Sequence, residues 1–408
     1  MEQRLAEVPR SRLRTAKVIR IVAEYPVGGK SSFGLQPLYF NLSRVQASIG
    51  HDVHVIAKRS PGQPSLENYA GVTVHRVDFP FNLQAIASLR KLVDLGAPTI
   101  IHTHSTSGYF LTAAKRTFAA PLVSHVHGTT YSAATPAVLS FGTIRNEYSK
   151  WGVTTSFLRE KALWSAADRI AAVSTSVQSD LISRYGIDKA KIRLVFNGVD
   201  ATLFRPDPAP DFPEKKELEG KKVVLYVGHF GLRKGIPFLI RSMKMVSKEV
   251  PNAVLVCIGG VPSWLPKGDY WSYLNALIKE NDLDGKVLLL DGKANEELPA
   301  YYSASDVFVL PSYYEAFPKV LIEAMACEKP VVTCNLGGTR DSVEDGVNGT
   351  LVDYANPNQL ADAIIAILED EGMASRMGKA GRERVLRDFT WQAVSERVES
   401  VYGEVLTI

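Results

Sequence analysis

Two carboxylates eight positions apart carry the densest chemistry in this chain: Glu315 and Glu323, within Pro311-Ser312-Tyr313-Tyr314-Glu315-Ala316-Phe317-Pro318-Lys319-Val320-Leu321-Ile322-Glu323-Ala324-Met325-Ala326. At about 3.6 residues per turn that spacing is slightly over two turns, so a helix starting near Pro318 lets both face one ligand. The backbone N–H groups from Ala316 to Val320 then lie at a helix N-terminus, where phosphate or sugar oxygens are readily held. The same spacing also fits two unrelated solvated carboxylates. A second loop, Gly228-His229-Phe230-Gly231-Leu232-Arg233-Lys234-Gly235, brings Arg233 and Lys234 to a turn whose glycines allow close backbone approach. Cations there suit a diphosphate leaving group that gains negative charge. On its own the loop fits a solvated turn equally well. Asn335 to Asp341, with Gly337 and Gly338, offers further N–H groups.

Metal chemistry finds little support. Asp282-Leu283-Asp284 precedes a strand and reads as a helix-end turn, and His102 and His104 alternate on a strand end with no third ligand near them in sequence. Cys257, Cys327 and Cys334 lack metal-ligand spacing, and so sparse and odd a set implies a reducing, cytoplasmic setting over a disulfide framework. The 47 basic and 43 acidic residues leave a net charge of +4, too small for a global nucleic-acid footprint. No run of about 18 apolar residues is present to span a bilayer. The local bias is the arm 1–16, where Arg4, Arg10, Arg12 and Arg14 outnumber Glu2 and Glu7. It reads as a solvated terminus, or as a peripheral contact with anionic membrane at about 1 kcal/mol per basic residue.

The elements that must position these residues alternate β-branched runs with helical patterns, the mark of layered α/β folds. Val18–Val22, Val53–Ile56, Thr99–His102 and Leu122–Val126 read as strands of one unit, with a helix over Leu38–Ile49. The stretch Phe204 to Pro213 holds four prolines and suits neither helix nor central strand. Beyond it Val223–Val227, Val254–Ile258, Val287–Leu290, Val307–Leu310 and Val331–Cys334 form a second series, and Trp391–Leu406 is an amphipathic C-terminal helix. At 408 residues the chain is long enough for two cores. Expected boundaries are an N-terminal arm 1–16, a first domain 17–205, a linker 206–218, a second domain 219–388 and a C-terminal helix 389–408 packing back toward the first domain. Two doubly wound parallel sheets would face each other across a cleft, with ligands outside the carboxyl ends of the strands.

In this combination the chain resembles the family-four group of retaining glycosyltransferases, whose motif usually reads E-G-F-G-x-x-x-x-E-A-M-A. Here Glu315 to Ala326 fill it, with Ala316 and Pro318 where glycines are usual. Gly28-Gly29, Gly50-His51-Asp52-Val53, Ile101-His102-Thr103-His104, Ala167-Asp168-Arg169-Ile170 with Val173-Ser174, Asn197-Gly198-Val199-Asp200 with Phe204 and Pro206, and Asp345-Gly346-Val347-Asn348-Gly349 follow in the family's order. The likeness runs over nearly the whole chain from about residue 17. It implies the GT-B fold and transfer of a hexosyl group from a nucleotide diphosphate sugar, with uridine favoured and guanosine next. The acceptor it leaves open: a saccharide, a lipid-linked intermediate or a small molecule.

The resemblance also assigns roles. Arg233 and Lys234 match the grip on the donor diphosphate, and Glu323 the carboxylate that takes the ribose hydroxyls. Glu315, with Ala316, Phe317, Pro318, Lys319 and Val320, matches the hold on the transferred sugar and its phosphate. His127 matches a histidine facing that sugar from the first domain, and Gly28 and Gly29 a loop near the diphosphate. The family has arginine where this chain has His229, which removes a fixed charge. In the family the leaving phosphate deprotonates the acceptor, so no metal or other cofactor is expected. A nucleotide-sugar epimerase of the same fold, a phosphorylase, or a non-catalytic sugar-nucleotide-binding subunit are the competing readings. The segment Tyr131 to Ala166, with its aromatic and basic residues, reads as the variable acceptor side, either a membrane-leaning surface or helix core with a solvated face. Oligomeric state is not legible.

Overall fold

A computed structural model describes residues 15–27, 36–93, 97–130, 150–207, 211–261 and 267–406. Residues 1–14 of the basic arm, Gly28 and Gly29, and residues 131–149 of the Tyr131 to Ala166 segment lie outside the described residues.

The first half builds one sheet from β1 (Lys17–Ile21), β2 (Asp52–Lys58), β3 (Leu66–Tyr69), β4 (Val72–Val77), β5 (Thr99–His104), β6 (Leu122–Val126), β7 (Arg169–Ala172) and β8 (Ile192–Leu194). Their order is β3-β4-β2-β1-β5-β6-β7-β8. All neighbours run parallel except the β3–β4 hairpin. The second half uses β9 (Lys222–Val227), β10 (Ala253–Ile258), β11 (Val287–Leu290), β12 (Val307–Leu310), β13 (Val331–Cys334) and β14 (Gly349–Val352), in the order β11-β10-β9-β12-β13-β14. Chain direction across each sheet reverses at one place, between β1 and β5 in the first and between β9 and β12 in the second. Crevices open at such points, outside the strand ends. This is the GT-B architecture of two Rossmann-like sheets.

The central strands are buried on both faces, and successive side chains leave opposite faces for different clusters. In β1, Val18 belongs to one apolar cluster, and Ile19 and Ile21 to the other. The Val18 side is capped by the helix Gln36–Ser48 and by the C-terminal helix Trp391–Leu406, whose Trp391, Val394, Val398, Val401 and Val405 share that cluster. The chain's last helix therefore lies on the first sheet. Glu404 there accepts from Arg169 and Arg193, at 2.7 Å each, and Glu399 pairs with His51 at 2.8 Å.

The chain thus passes between the halves twice, once after β8 and once before Trp391. The two passages touch: the Val199 N–H donates to the Phe389 carbonyl at 2.8 Å, and Val199 bridges Thr390. A Cβ on Gly198 would stand 2.6 Å from Trp391 Cε3, so only glycine admits the indole there. Within the stretch read as linker, Lys215–Leu218 forms a short helix and Leu218 is buried. Among the described residues no helix is long and apolar enough to cross a membrane.

Candidate active site

At the second reversal point the loops after β9 and β12 are pressed together. Gly235 has φ +71, and a Cβ there would meet the Pro311 carbonyl at 2.0 Å. That contact carries the β9 loop onto the β12 loop: the Tyr313 N–H donates to the Arg233 carbonyl at 2.8 Å, and the Arg233 guanidinium to the Tyr314 carbonyl at 2.6 Å. Lys234 Nζ then reaches Glu315 Oε1 at 2.5 Å, both side chains mostly buried. Burial pushes the Glu315 carboxyl upward, but Lys234 and Arg233 outweigh it and hold the group below the ordinary carboxylate range. His229 sits beside them. Burial, Lys234 and Arg233 all depress its pKa, so it stays neutral where the family has arginine.

The helix Lys319–Ala326 begins after Pro318 with no side-chain cap, which leaves its first N–H groups for a ligand. The third loop seats this segment, with Gly338 N–H donating to the Glu315 carbonyl at 2.8 Å. A Cβ on Gly338 would fall 1.9 Å from the Ala316 carbonyl. Glu323 is held apart from the Lys234–Glu315 pair, by the Tyr302 hydroxyl at 3.1 Å and by Lys319 at 3.7 Å. Phe317 contributes backbone only, because its ring stacks on Phe196 (5.4 Å) and packs edge-on against Phe389 (5.5 Å).

The first half faces this loop with β5 and β6. Their register pairs His104 with His125 and sets Arg20 of β1 opposite His102, so alternate residues of both strands share one face. Four imidazoles stack there: His102 on His104 (4.6 Å between centroids), His104 on His125 (5.3 Å), and His125 on His127 (4.5 Å). His104 Nδ1 and His127 Nε2 are 2.8 Å apart. Burial drives all four pKa values down, that of His127 to about 4, so the rings are neutral. Next to His127, a Cβ on Gly128 would stand 3.7 Å from Ala316 Cβ, and Asn197 Nδ2 donates to the Phe317 carbonyl at 3.3 Å. Gly128 and Asn197 therefore meet the Glu315–Phe317 segment across the two halves, with His127 next in sequence to the contact, and Thr175 is further tied to Asp341 at 2.9 Å.

One expectation is corrected. His102 and His104 do have a third imidazole at hand, since His102, His104 and His125 present ring nitrogens within 4.8 Å of one another. The donor set still suits a metal poorly. His102 Nδ1 is already engaged within the protein, 2.6 Å from the Tyr402 hydroxyl and 3.5 Å from Arg20 Nη2. A buried guanidinium beside the rings also opposes a further cation.

Sequence reading missed other groups at this mouth. Glu160 is 5% exposed and accepts from Thr130 Oγ1 (2.8 Å) and Tyr185 Oη (2.5 Å), which anchors the loop after His127. No local pattern points to it. Asn197 stood in the quoted N-G-V-D run without a role. In the described part of the Tyr131 to Ala166 segment Trp164 is fully buried, Leu158 is exposed, and Arg159 lies over the Tyr109 ring at 5.2 Å.

Comparison with known proteins points the same way. The family model described as Glycosyltransferase Family 4 matches residues 34–203, and that described as Glycosyl transferases group 1 matches residues 209–384. A D-inositol 3-phosphate glycosyltransferase of Thermobispora bispora is 27% identical, over 97% of this chain and 95% of its own. An alpha-maltose-1-phosphate synthase of Mycolicibacterium smegmatis is 28% identical, over 78% of this chain and 82% of its own. Among solved structures, sucrose-phosphate synthase from Thermosynechococcus elongatus superposes with a TM-score of 0.77 at 26% identity, covering 97% of this chain and all of that one. Anabaena Alr3699/HepE in complex with UDP and glucose gives 0.76 at 18% identity, over 95% and 99%.

Proposed function

Because the chain belongs to the glycosyl transferases group 1, a family of GT-B glycosyltransferases, we propose that it transfers a hexosyl group with retention from a nucleotide diphosphate sugar, UDP-linked in preference to GDP-linked. The observation that carries this reading is the convergence of Lys234, Arg233 and Glu315 at the reversal point of the second sheet, with Gly128, the residue after His127, set against Ala316 from the first.

The diphosphate binds against Lys234, Arg233 and the free N–H groups that open Lys319–Ala326. Without a ligand, Lys234 is neutralised by Glu315. When the donor enters, the ammonium shares its charge with the phosphate and stabilises the negative charge that grows as the glycosidic bond breaks. Glu315 then turns toward hydroxyls of the sugar, and Glu323 takes the ribose hydroxyls from its place beside Tyr302 and Lys319. His127, neutral, meets the sugar from the opposite side. The leaving phosphate takes the acceptor's proton, so the protein's task is positioning and exclusion of water, with no metal required. A saccharide-type acceptor enters from the first half.

The test is a panel of UDP- and GDP-sugars scored by thermal shift and by nucleotide release on adding acceptors. A ligand at 100 times its Kd adds about 2.7 kcal/mol to apparent stability. Stabilisation by UDP and turnover of one UDP-sugar with an α-anomeric product support the reading. Stabilisation by no nucleotide, or an inverted product, overturns it.

A further inference from the structure

The third loop of the second half, Asn335 to Asp341, touches both sides of the cleft. Toward its own half, Gly338 donates its N–H to the Glu315 carbonyl at 2.8 Å. Toward the first half, a Cβ on Gly338 would stand 3.1 Å from Ser174 Cβ. Three residues on, Asp341 Oδ2 accepts from the Thr175 N–H at 2.9 Å and from Thr175 Oγ1 at 3.1 Å. Ser174 and Thr175 open the helix Thr175–Ser183, which follows β7 of the first sheet. The first N–H groups of a helix have no partner within it. Ser174 Oγ serves one of them, accepting from the Val177 N–H at 3.1 Å. The Thr175 N–H is served from the opposite half, by a carboxylate whose charge suits the positive end of the helix. Asp341 is in turn fixed through its backbone, whose carbonyl accepts from Arg384 Nη2 at 2.8 Å.

Resting on the reading that Glu315 holds the transferred sugar, we propose that Asp341 is a positioning residue: by capping a first-half helix from the second half, it holds the cleft closed around the donor. Asp341 touches no reacting atom. It acts through its loop, because the turn that carries the cap also seats the Glu315 carbonyl through Gly338. Closure and the placing of Glu315 are thereby one event. Parting the halves takes Asp341 from Thr175 and leaves that N–H to water, while Lys234, Arg233 and Glu323 stay in place on the second half. The cap therefore governs turnover, and nucleotide affinity is set elsewhere.

The experiment breaks the cap from each side in the full chain. Asp341→Ala removes the acceptor. Thr175→Pro removes both donors yet keeps the helix, since proline is favoured at the first helical position. Ser174, at φ −160 and ψ 164, already has the extended backbone that a residue before proline needs. Closure is read by small-angle X-ray scattering with and without UDP, UDP affinity by calorimetry, and kcat with the UDP-sugar turned over in the panel above. Asp341→Ala is expected to widen the particle and to lower kcat on the order of fivefold, the scale of a lost helix cap, with the UDP Kd changed less than about twofold. Thr175→Pro should do the same, and the double variant no worse than either single one, because all remove one interaction. Asp341→Asn keeps a capping oxygen and should retain the closed form and most of kcat. Native closure and kcat in Thr175→Pro overturn the inference, as do effects that add in the double variant. So does a loss of UDP affinity as large as the loss in kcat. If UDP does not bind and no UDP-sugar is turned over, the transferase reading falls, and scattering still decides the cap: widened variants support it and unchanged profiles overturn it.

Discussion

On the second half of the molecule Lys234 and Glu315 are buried as a charged pair, and Lys234 with Arg233 holds the Glu315 carboxyl below its ordinary range. On the first half four histidines are buried at a comparable depth as neutral rings, their charged forms suppressed by desolvation. Both arrangements satisfy the cost of burying polar groups, one by opposite charge and the other by losing charge. The difference fits what each side would meet: a diphosphate needs fixed cations, whereas an uncharged sugar is better held by neutral donors that do not compete with those cations.

Breaking the charged side should have the largest consequence. Lys234→Ala is expected to reduce kcat by about 100- to 1,000-fold, the range seen when one preorganised charge-stabilising group is removed. Steady-state kinetics at saturating donor would show it, and a change below threefold would refute the assignment. Arg233→Ala should do less, because the guanidinium also supports the Tyr314 carbonyl: about tenfold weaker nucleotide binding by calorimetry, with an equal loss in kcat/KM.

The neutral side should show itself in pH. A histidine whose folded pKa lies below its unfolded value of about 6.5 binds its proton more readily when unfolded. Stability is then complete above about pH 6.5 and falls as pH drops toward 4, where His127 titrates in the fold. Urea unfolding between pH 4.5 and 7 should rise with pH, and His125→Phe should flatten that slope by about one proton. An unchanged slope would mean the ring is charged or exposed.

The smallest effect belongs to the clamp on the C-terminal helix, which runs the other way. Burial depresses His51, but the hydrogen bond and charge of Glu399 outweigh it and raise its pKa. Its contribution is therefore present below about pH 6.5 and lost as pH climbs through the raised folded value. Glu399→Gln should cost about 1 kcal/mol at pH 6 and nothing measurable at pH 9.

The strands, the glycine loops and the two carboxylates were readable because each is a local pattern. Short β-branched runs mark strands, and glycine marks a turn whether or not its neighbours are known. The histidine face was not readable, although His102, His104, His125 and His127 keep the spacing of two that puts alternate residues on one side. What joins them is the register of β5 against β6, a pairing across twenty residues that a single strand does not encode. For the same reason Phe317 reads with the ligand-binding segment, while its ring is held by Phe196 and Phe389 from distant parts of the chain. Lys234 and Glu315 were each singled out, but their mutual neutralisation depends on the fit of Gly235 under Pro311.

The doubled passage between the halves has a mechanical consequence. With Val199 hydrogen-bonded to Phe389 and Trp391 wedged on Gly198, the two connecting threads behave as one pivot, not as two separate tethers. Two tethers far apart would resist any change in the angle between the sheets; a single pivot allows swinging and opposes sliding. Rotation about that one axis would part Gly128 from Ala316 and bring them together again in the same register.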